Sequence, residues 1–420
     1  MEPNLLSKRQ RNVLVLLMLS GTAINTIDRI GLSTAAPLVI KELHLSPALM
    51  GVAFSAFFWP YVLMQIPTGS LADRFGAKLV LGWAAGIWSI ASASTAFVSN
   101  LVTLATTRIF LGAGESAWFP INVKVINNYF PKEERGFANG LSNGGIRLGS
   151  AIAPILMVTL IKSIGWRYAF LITGLGSLVW CVFWYFGFKP GRESSSVSLD
   201  KHDSFALKEL LSKRLTVGIV LTKFFNDYLY YLLLTWIPTY LVMEKGFSLT
   251  KMGIYASFPW FFGFLAEPIV GGLSDWLIRK GWSVTLSRKS CVVAVQLISG
   301  IATMWVGFVS GSMMMVLTLT VAIAFQAASG SMTWTLCTEV APKRAAGLMG
   351  GIMNTGGAVA GVLSPIITGL IFGATGSFQW ALVIGGGAVL LASASVVFVL
   401  KELIPISLAD RPKAREFTVA

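Results

Sequence analysis

The chain has 420 residues, of which 55% are hydrophobic and 12% charged, with a mean hydropathy of +0.70 and a formal net charge of +14. A soluble domain carries about a quarter charged residues, so the composition disfavours cytosolic enzymes, nucleic-acid binders and disordered scaffolds. Cys181, Cys291 and Cys337 lie in apolar stretches with no Cys-x-x-Cys or Cys/His spacing, so neither a disulfide framework nor a metal site is expected.

A helix needs roughly 20 apolar residues to cross the hydrocarbon of a bilayer. Such segments recur near 13–36, 47–71, 79–98, 100–128, 136–161, 167–187, 215–242, 250–275, 287–309, 312–338, 345–373 and 377–401. The first has no small-residue cleavage site after its apolar run and holds Asp28 and Arg29, so it reads as a retained span. Most of the 33 Lys and Arg residues fall in the tails and the even-numbered connections, from Lys8, Arg9 and Arg11 to Arg411, Lys413 and Arg415. The opposite loops hold Lys41, Lys162, Arg167, Lys245 and Lys251, and Arg29, Arg108, Lys124, Arg147 and Lys223 fall inside spans. That asymmetry places both termini in the cytoplasm and the chain in the cytoplasmic (inner) membrane, among lipid. The positive charge is a topology signal and implies no nucleic-acid partner.

The longest polar stretch, 188–214, separates six spans from six, giving expected units of 1–187 and 215–420 joined by a cytoplasmic linker. The halves repeat each other. A shift of 211 places Pro131 on Pro342, Lys132 on Lys343, Gly136 on Gly347, Asn143 on Asn354, Gly145 on Gly356 and Pro154 on Pro365. A shift of 202 places Gly69-Ser-Leu-Ala-Asp73 on Gly271-Gly-Leu-Ser-Asp275. The expected architecture is all-α and polytopic, twelve transmembrane helices in two six-helix pseudo-repeats, with a ligand held near the midplane between them as in a transporter.

An ionisable side chain at mid-bilayer costs about 2.5–3.5 kcal/mol on insertion scales, so each one is a functional candidate. The first half holds Asp28, Arg29, Arg108, Glu115, Lys124 and Arg147, and the second holds Lys223, Asp227 and Glu267. Arg108 and Glu115 are two helical turns apart and share a face. Asp28 and Arg29 point about 100° apart on a continuous helix, and converge only if Gly21, Gly31 or Pro37 breaks it. These charges either pin the spans together as an ion-pair network or couple proton binding to anion binding, a guanidinium fork being suited to a carboxylate. Both histidines, His44 and His202, fall in loops, so a coupled proton rides on Asp28 or Glu115. Arg147 either faces the cavity or snorkels to lipid phosphate or a loop carboxylate. Lys223 and Asp227 form an i,i+4 pair, and Glu267 reads as a structural hydrogen-bonding group. The groups around Phe57-Phe-Trp59 and Trp260-Phe-Phe262 read as lipid-facing or packing residues. No GxxxxGK[ST] loop occurs, so neither ATP drive nor any organic cofactor is expected, and no nucleophile–base set supports an enzyme.

The loop Gly69-Ser-Leu-Ala-Asp73-Arg74-Phe-Gly76-Ala-Lys78 resembles the signature of the major facilitator superfamily, and the resemblance covers the whole chain. Asp28-Arg29, Tyr61 within Trp59-Pro-Tyr-Val-Leu-Met-Gln-Ile-Pro67, and Arg108 with Glu115 resemble the anion:cation symporter branch. So does Ser331-Met-Thr-Trp334-Thr-Leu-Cys-Thr-Glu339, followed by Asn354, which is similar to sugar-acid permeases of the galactonate, glucarate and hexuronate type. The resemblance implies that Arg29 and Arg108 hold a substrate carboxylate or gate access to it, with Asp28 and Glu115 as proton sites. Tyr61, Ser331, Thr333, Trp334 and Asn354 would touch the hydroxylated body of the substrate. Asp73, Arg74 and Asp275 would latch the inner gate. The chain departs from that pattern at Thr26, where an aromatic residue is usual, and at Asn143-Gly-Gly-Ile146-Arg147, where Ile replaces an amide and a cation follows. A third arginine there would suit a dianion or a bulkier acid.

These readings converge on a proton-coupled symporter that imports a small organic anion, a hexonate, hexarate or hexuronate, by rocker-switch alternating access, with the proton as coupling ion and a monomer as working unit. The alternatives are a proton-driven exporter and a symporter of another carboxylate such as an aromatic acid. A growth test on single acids as carbon source separates importer from exporter.

Overall fold

The computed structural model describes residues 6–189, 208–342 and 346–407. Most of the predicted connection between the halves, Lys343, Arg344 and the tail after 407 lie outside those residues.

Ten helices among the described residues are long and apolar enough to cross a membrane. Two local features raise the number of spans to twelve. The helix Lys132–Gly187 is two spans, the fifth and sixth, joined where Gly165 adopts a positive φ of 83°. The fourth span is two shorter helices in series, Leu101–Glu115 and Trp118–Tyr129. The others run Lys8–Glu42, Pro47–Phe75, Ala77–Phe97, Arg214–Glu244, Leu249–Arg279, Val284–Val306, Ser312–Val340, Ala346–Thr375 and Gln379–Val399. The ends lie several residues beyond the predicted apolar cores, because helix continues into polar flanks such as Lys8–Arg11 and Trp276–Arg279.

The second span, predicted as one helix, is broken in the same way as the fourth: Pro47–Ser55 gives way to Phe58–Phe75. Each break has a proline two residues inside the following helix, Pro60 and Pro120. A proline there has no N–H for the carbonyl one turn back, so Ala56 and Ser116 lose their helical donors and the chain re-starts at an angle. The two breaks lie against each other. A Cβ on Gly112 would overlap the carbonyl oxygen of Phe57, so glycine sets how closely the two spans approach. The first span, by contrast, is continuous through Gly21, Gly31 and Pro37. Its Gly21 leaves room for the rings of Trp118 and Trp180, which are buried with Trp88 and Trp184 in one indole cluster.

The internal repeat is visible in the packing. Gly145 lets the fifth span close onto Leu19 and Thr22 of the first, and Gly356, its repeat mate, lets the eleventh close onto Val220 of the seventh. Small residues govern helix approach in lipid, where apolar burial supplies no drive. Other large apolar side chains face the perimeter: Trp83 is 71% exposed and Phe398 73%.

The two sets of six spans meet tightly on the side away from the termini. Gly51 packs on the carbonyl of Pro365 and Gly369 on that of Pro47. Ser33 donates to the carbonyl of Leu234 at 2.7 Å, and Lys162 Nζ to Thr250 Oγ1 at 2.9 Å. The acidic groups expected at the gate on the terminal side pair inside their own halves: Asp73 with Lys124 at 3.0 Å, and Asp275 with Arg288 at 2.6 Å. Arg288 continues to Glu339 at 3.2 Å, tying the eighth, ninth and tenth spans together. The Arg74 guanidinium lies over Phe75 at 5.1 Å.

Gly112→Ala is expected to prise the two broken spans apart, an overpacking cost of roughly 1–3 kcal/mol. Thermal unfolding in detergent should fall by several degrees, whereas Gly82→Ala, where an added methyl meets nothing within 4 Å, should not move it.

Candidate functional site

The helix breaks deliver the site. Arg29, Phe57, Tyr61 and Glu115 all fall in the middle third of their spans. Glu115 ends the first piece of the fourth span and is fully buried. Its Oε2 accepts from Arg29 Nη2 at 2.8 Å and from Nε at 3.2 Å. Arg29 Nη2 also reaches Asn25 Oδ1 at 3.4 Å, one turn back on its own helix.

The Arg29 guanidinium stands 4.7 Å from the Phe57 ring and 5.0 Å from that of Tyr61, which stacks on Phe57 at 5.3 Å. Arg108 lies over the same Phe57 ring at 5.5 Å, and its Nη2 donates to the carbonyl of Arg29 at 3.4 Å. Two guanidiniums thus lie against one aromatic ring, and one of them, Arg29, is paired with the Glu115 carboxylate. Glu115 Oε1 and Arg108 Nε are buried with no hydrogen-bond partner among the described residues. A cation held by an aromatic face is attracted without being neutralised, and Arg108 has no carboxylate in direct contact among the described residues.

Asp28 does not join it. Because the first span is unbroken, Asp28 points away from Arg29, toward the third and sixth spans. Ser92 donates to its Oδ1 at 2.8 Å and Ser177 to its Oδ2 at 2.6 Å, and the residue is 2% exposed. The two predicted proton sites therefore have different surroundings, one facing a guanidinium and one fixed by hydroxyls.

The second half supplies fewer of the predicted contacts. The Thr333 hydroxyl donates to the carbonyl of Ser329 one turn back, at 2.8 Å, and is fully buried. Ser331 is half-buried, and Trp334 is exposed beside Gly350. Asn354 reaches across to the first half, its Nδ2 3.4 Å from Gln65 Oε1, four residues beyond Tyr61. Lys223 and Asp227 neutralise each other at 2.6 Å, and Asn226 links them to Ser329 Oγ at 2.7 Å.

Arg147 neither snorkels to lipid nor finds a loop carboxylate. It pairs with Glu267 of the eighth span, its Nε donating to Oε1 at 2.7 Å and its Nη2 to the same oxygen. The guanidinium lies 5.9 Å from the Tyr230 ring and 6.0 Å from that of Trp260. Glu267, expected to be a structural hydrogen-bonding group, accepts from Arg147 and so joins the two halves.

The structure brings Arg29, Tyr61, Arg108 and Glu115 together. It leaves Asp28, Ser331, Thr333 and Trp334 outside that cluster, and sets Arg147 in a second one. Asn25, Phe57, Gln65, Tyr230 and Glu267 are neighbours of these charges that the sequence did not mark as site residues. Asn25 had a legible signal, since it lies four residues before Arg29 on one helix face. Among the described residues no three His, Cys, Asp or Glu side chains cluster as metal ligands would.

Twelve spans in two repeated sets, with paired charges at mid-membrane where the sets meet, define a membrane carrier. The Major Facilitator Superfamily model matches residues 18–361, and the chain belongs to that superfamily: it is a transporter, not an enzyme. It is 31% identical to the probable galactarate/D-glucarate transporter of Escherichia coli (strain K12), over 94% of this chain and 95% of that one. It is 30% identical to the hexuronate transporter of Bacillus subtilis (strain 168), over 95% and 96%. Among solved structures, a D-xylose–proton symporter superposes with a TM-score of 0.79 at 16% identity, covering 94% of this chain and 99% of that one. A bacterial homologue of the human lysosomal transporter Spinster gives the same TM-score at 19% identity, covering 94% and 97%.

Arg29→Gln strands Glu115 as an unpaired buried carboxylate, a loss of roughly 3–5 kcal/mol. The expected thermal destabilisation should be largely reversed by adding Glu115→Gln, which removes the stranded charge. Equal melting of the two variants would show that the pair is not coupled.

Proposed function

We propose that the protein is a symporter that carries a sugar-acid anion together with a proton, with Arg29 and Arg108 as its carboxylate site and Glu115 as its proton site. The observation that carries this reading is the shared Arg29–Glu115 contact: the carboxylate that occupies Arg29 in this structure is the group a substrate carboxylate would replace. A buried carboxylate stripped of its guanidinium is costly unless it takes up a proton. Anion entry at Arg29 and protonation of Glu115 therefore favour each other. The galactarate/glucarate and hexuronate names of the relatives give the substrate class its support, and the hydroxylated body of such an acid would meet Tyr61, Asn25, Gln65 and Asn354.

The excess of basic residues on the terminal side makes that side cytoplasmic. On that reading the tightly packed side is external, which fits a carrier closed to the outside. In the cycle, the outward-open carrier takes a proton on Glu115 and the anion on Arg29 and Arg108, and the loaded site allows the halves to rock. Inside, the anion and proton leave and the Arg29–Glu115 contact re-forms. Asp28, held by Ser92 and Ser177, is a second proton site whose hydroxyl partners can donate to its ionised form or accept from its protonated one.

Because proton uptake accompanies the anion, apparent affinity should rise as pH falls, by up to about tenfold per unit for each proton taken up. The test is uptake into proteoliposomes of a panel of hexonates, hexarates and hexuronates, with and without an imposed inward proton gradient. Native protein should concentrate one of these acids and alkalinise the external medium. Glu115→Gln should exchange it across the membrane yet fail to concentrate it, with a flat pH profile. Proton movement driven by lipophilic cations and by none of the acids would overturn the reading in favour of an exporter.

A further inference from the structure

The Arg147–Glu267 contact repeats, at the junction of the halves, the arrangement of Arg29 and Glu115. Both are a single arginine against a single glutamate, both sit in the middle third of their spans, and both guanidiniums lie over aromatic rings. The two clusters are joined by one run of rings. Phe57 meets Phe58 at 5.1 Å, Phe58 meets Tyr231 across the halves at 4.5 Å, and Tyr231 meets Tyr230, the ring under Arg147, at 5.0 Å.

A purely structural pair would be expected to spend its donors. Arg147 directs both Nε and Nη2 at one oxygen of Glu267, and its Nη1 is buried with no hydrogen-bond partner among the described residues. The other groups that face the pair do not complete it. Tyr230 and Trp260 present rings, and Asp227 is engaged by Lys223 at 2.6 Å. A planar fork with an idle donor is the geometry that accepts a carboxylate bidentately.

We infer that Arg147 and Glu267 form a second exchangeable anion site, which selects acids bearing an anionic group at each end. This rests on the sugar-acid reading above and deepens it. One carboxylate of the substrate occupies Arg29 and Arg108 in the first half. The other displaces Glu267 from Arg147 at the junction with the eighth span. A monoacid fills the first site and leaves the Arg147–Glu267 contact in place.

The test is calorimetric binding to the full-length protein in detergent, using two matched pairs of acids: D-glucarate with D-gluconate, and galactarate with D-galactonate. Native protein should bind a dicarboxylate at least about tenfold more tightly than its monocarboxylate mate, ~1.4 kcal/mol. The double variant Arg147→Gln/Glu267→Gln, which leaves no unpaired charge, should erase that ratio. Glu267→Gln alone removes the competitor and should tighten dicarboxylate binding, a gain that a merely structural bridge would not give. Equal weakening of both acids in the double variant, or no native preference, would overturn the second site while leaving the sugar-acid reading intact. Binding of none of the four acids would overturn the second site, and if D-glucuronate and D-galacturonate also fail to bind, the sugar-acid reading falls with it.

Discussion

A buried carboxylate against a guanidinium in the middle of a membrane is the constraint around which the first half is built. Neither charge is tolerable there alone, and the pair repays its desolvation only if geometry and neighbours are right. The protein meets that demand with backbone as much as with side chains. Pro60 and Pro120 interrupt the second and fourth spans at one height, Gly112 lets the interrupted segments touch, and Phe57 and Glu115 emerge at the two breaks. The ring of Phe57 then holds Arg29 and Arg108 at 4.7 and 5.5 Å without neutralising either. A further carboxylate in its place would have satisfied the arginines and left nothing for a ligand to do.

The unbroken first span has the opposite purpose. Adjacent charges on a straight helix must serve different neighbours, so Asp28 turns to Ser92 and Ser177 while Arg29 turns to Glu115. Asp28 thereby ties the third and sixth spans to the first, alongside the indole cluster that packs over Gly21. One residue stiffens the half as a body, and its neighbour operates within it.

Much of this was legible in the sequence. Length and hydropathy give twelve spans, and the 211-residue register that aligns Gly145 with Gly356 reappears as equivalent helix contacts in the two halves. Arg29, Arg108 and Glu115 were legible because charges inside apolar segments are costly to insert and must find partners within the bundle, and Tyr61 was legible only through the family resemblance. The breaks were not, since hydropathy is blind to a lost hydrogen bond and the apolar runs continue through both prolines. The Arg147–Glu267 contact was not either: the two residues are 120 apart in sequence and meet only when the fifth and eighth spans pack. The Thr333 hydroxyl donates to a carbonyl within its own helix, and a sequence does not say which partner a threonine takes.

The polar contacts differ between the inside of each half and the seam between halves, a difference that suits the alternating access proposed above. Inside a half, the helices are held by glycine-mediated backbone approach, stacked indoles and ion pairs such as Asp73–Lys124 and Asp275–Arg288–Glu339. Those contacts need not change when the halves rock. Across the seam, close glycine approach recurs at Gly51–Pro365 and Gly369–Pro47, but the polar contacts are of kinds that trade partners at modest cost: a serine hydroxyl on the carbonyl of Leu234, a lysine on Thr250, an amide on Gln65, and one arginine on Glu267. Water or substrate can replace each of these, so opening the sealed side exchanges hydrogen bonds without stranding a buried charge, provided that an anion or a proton is present where Arg147 and Glu267 part.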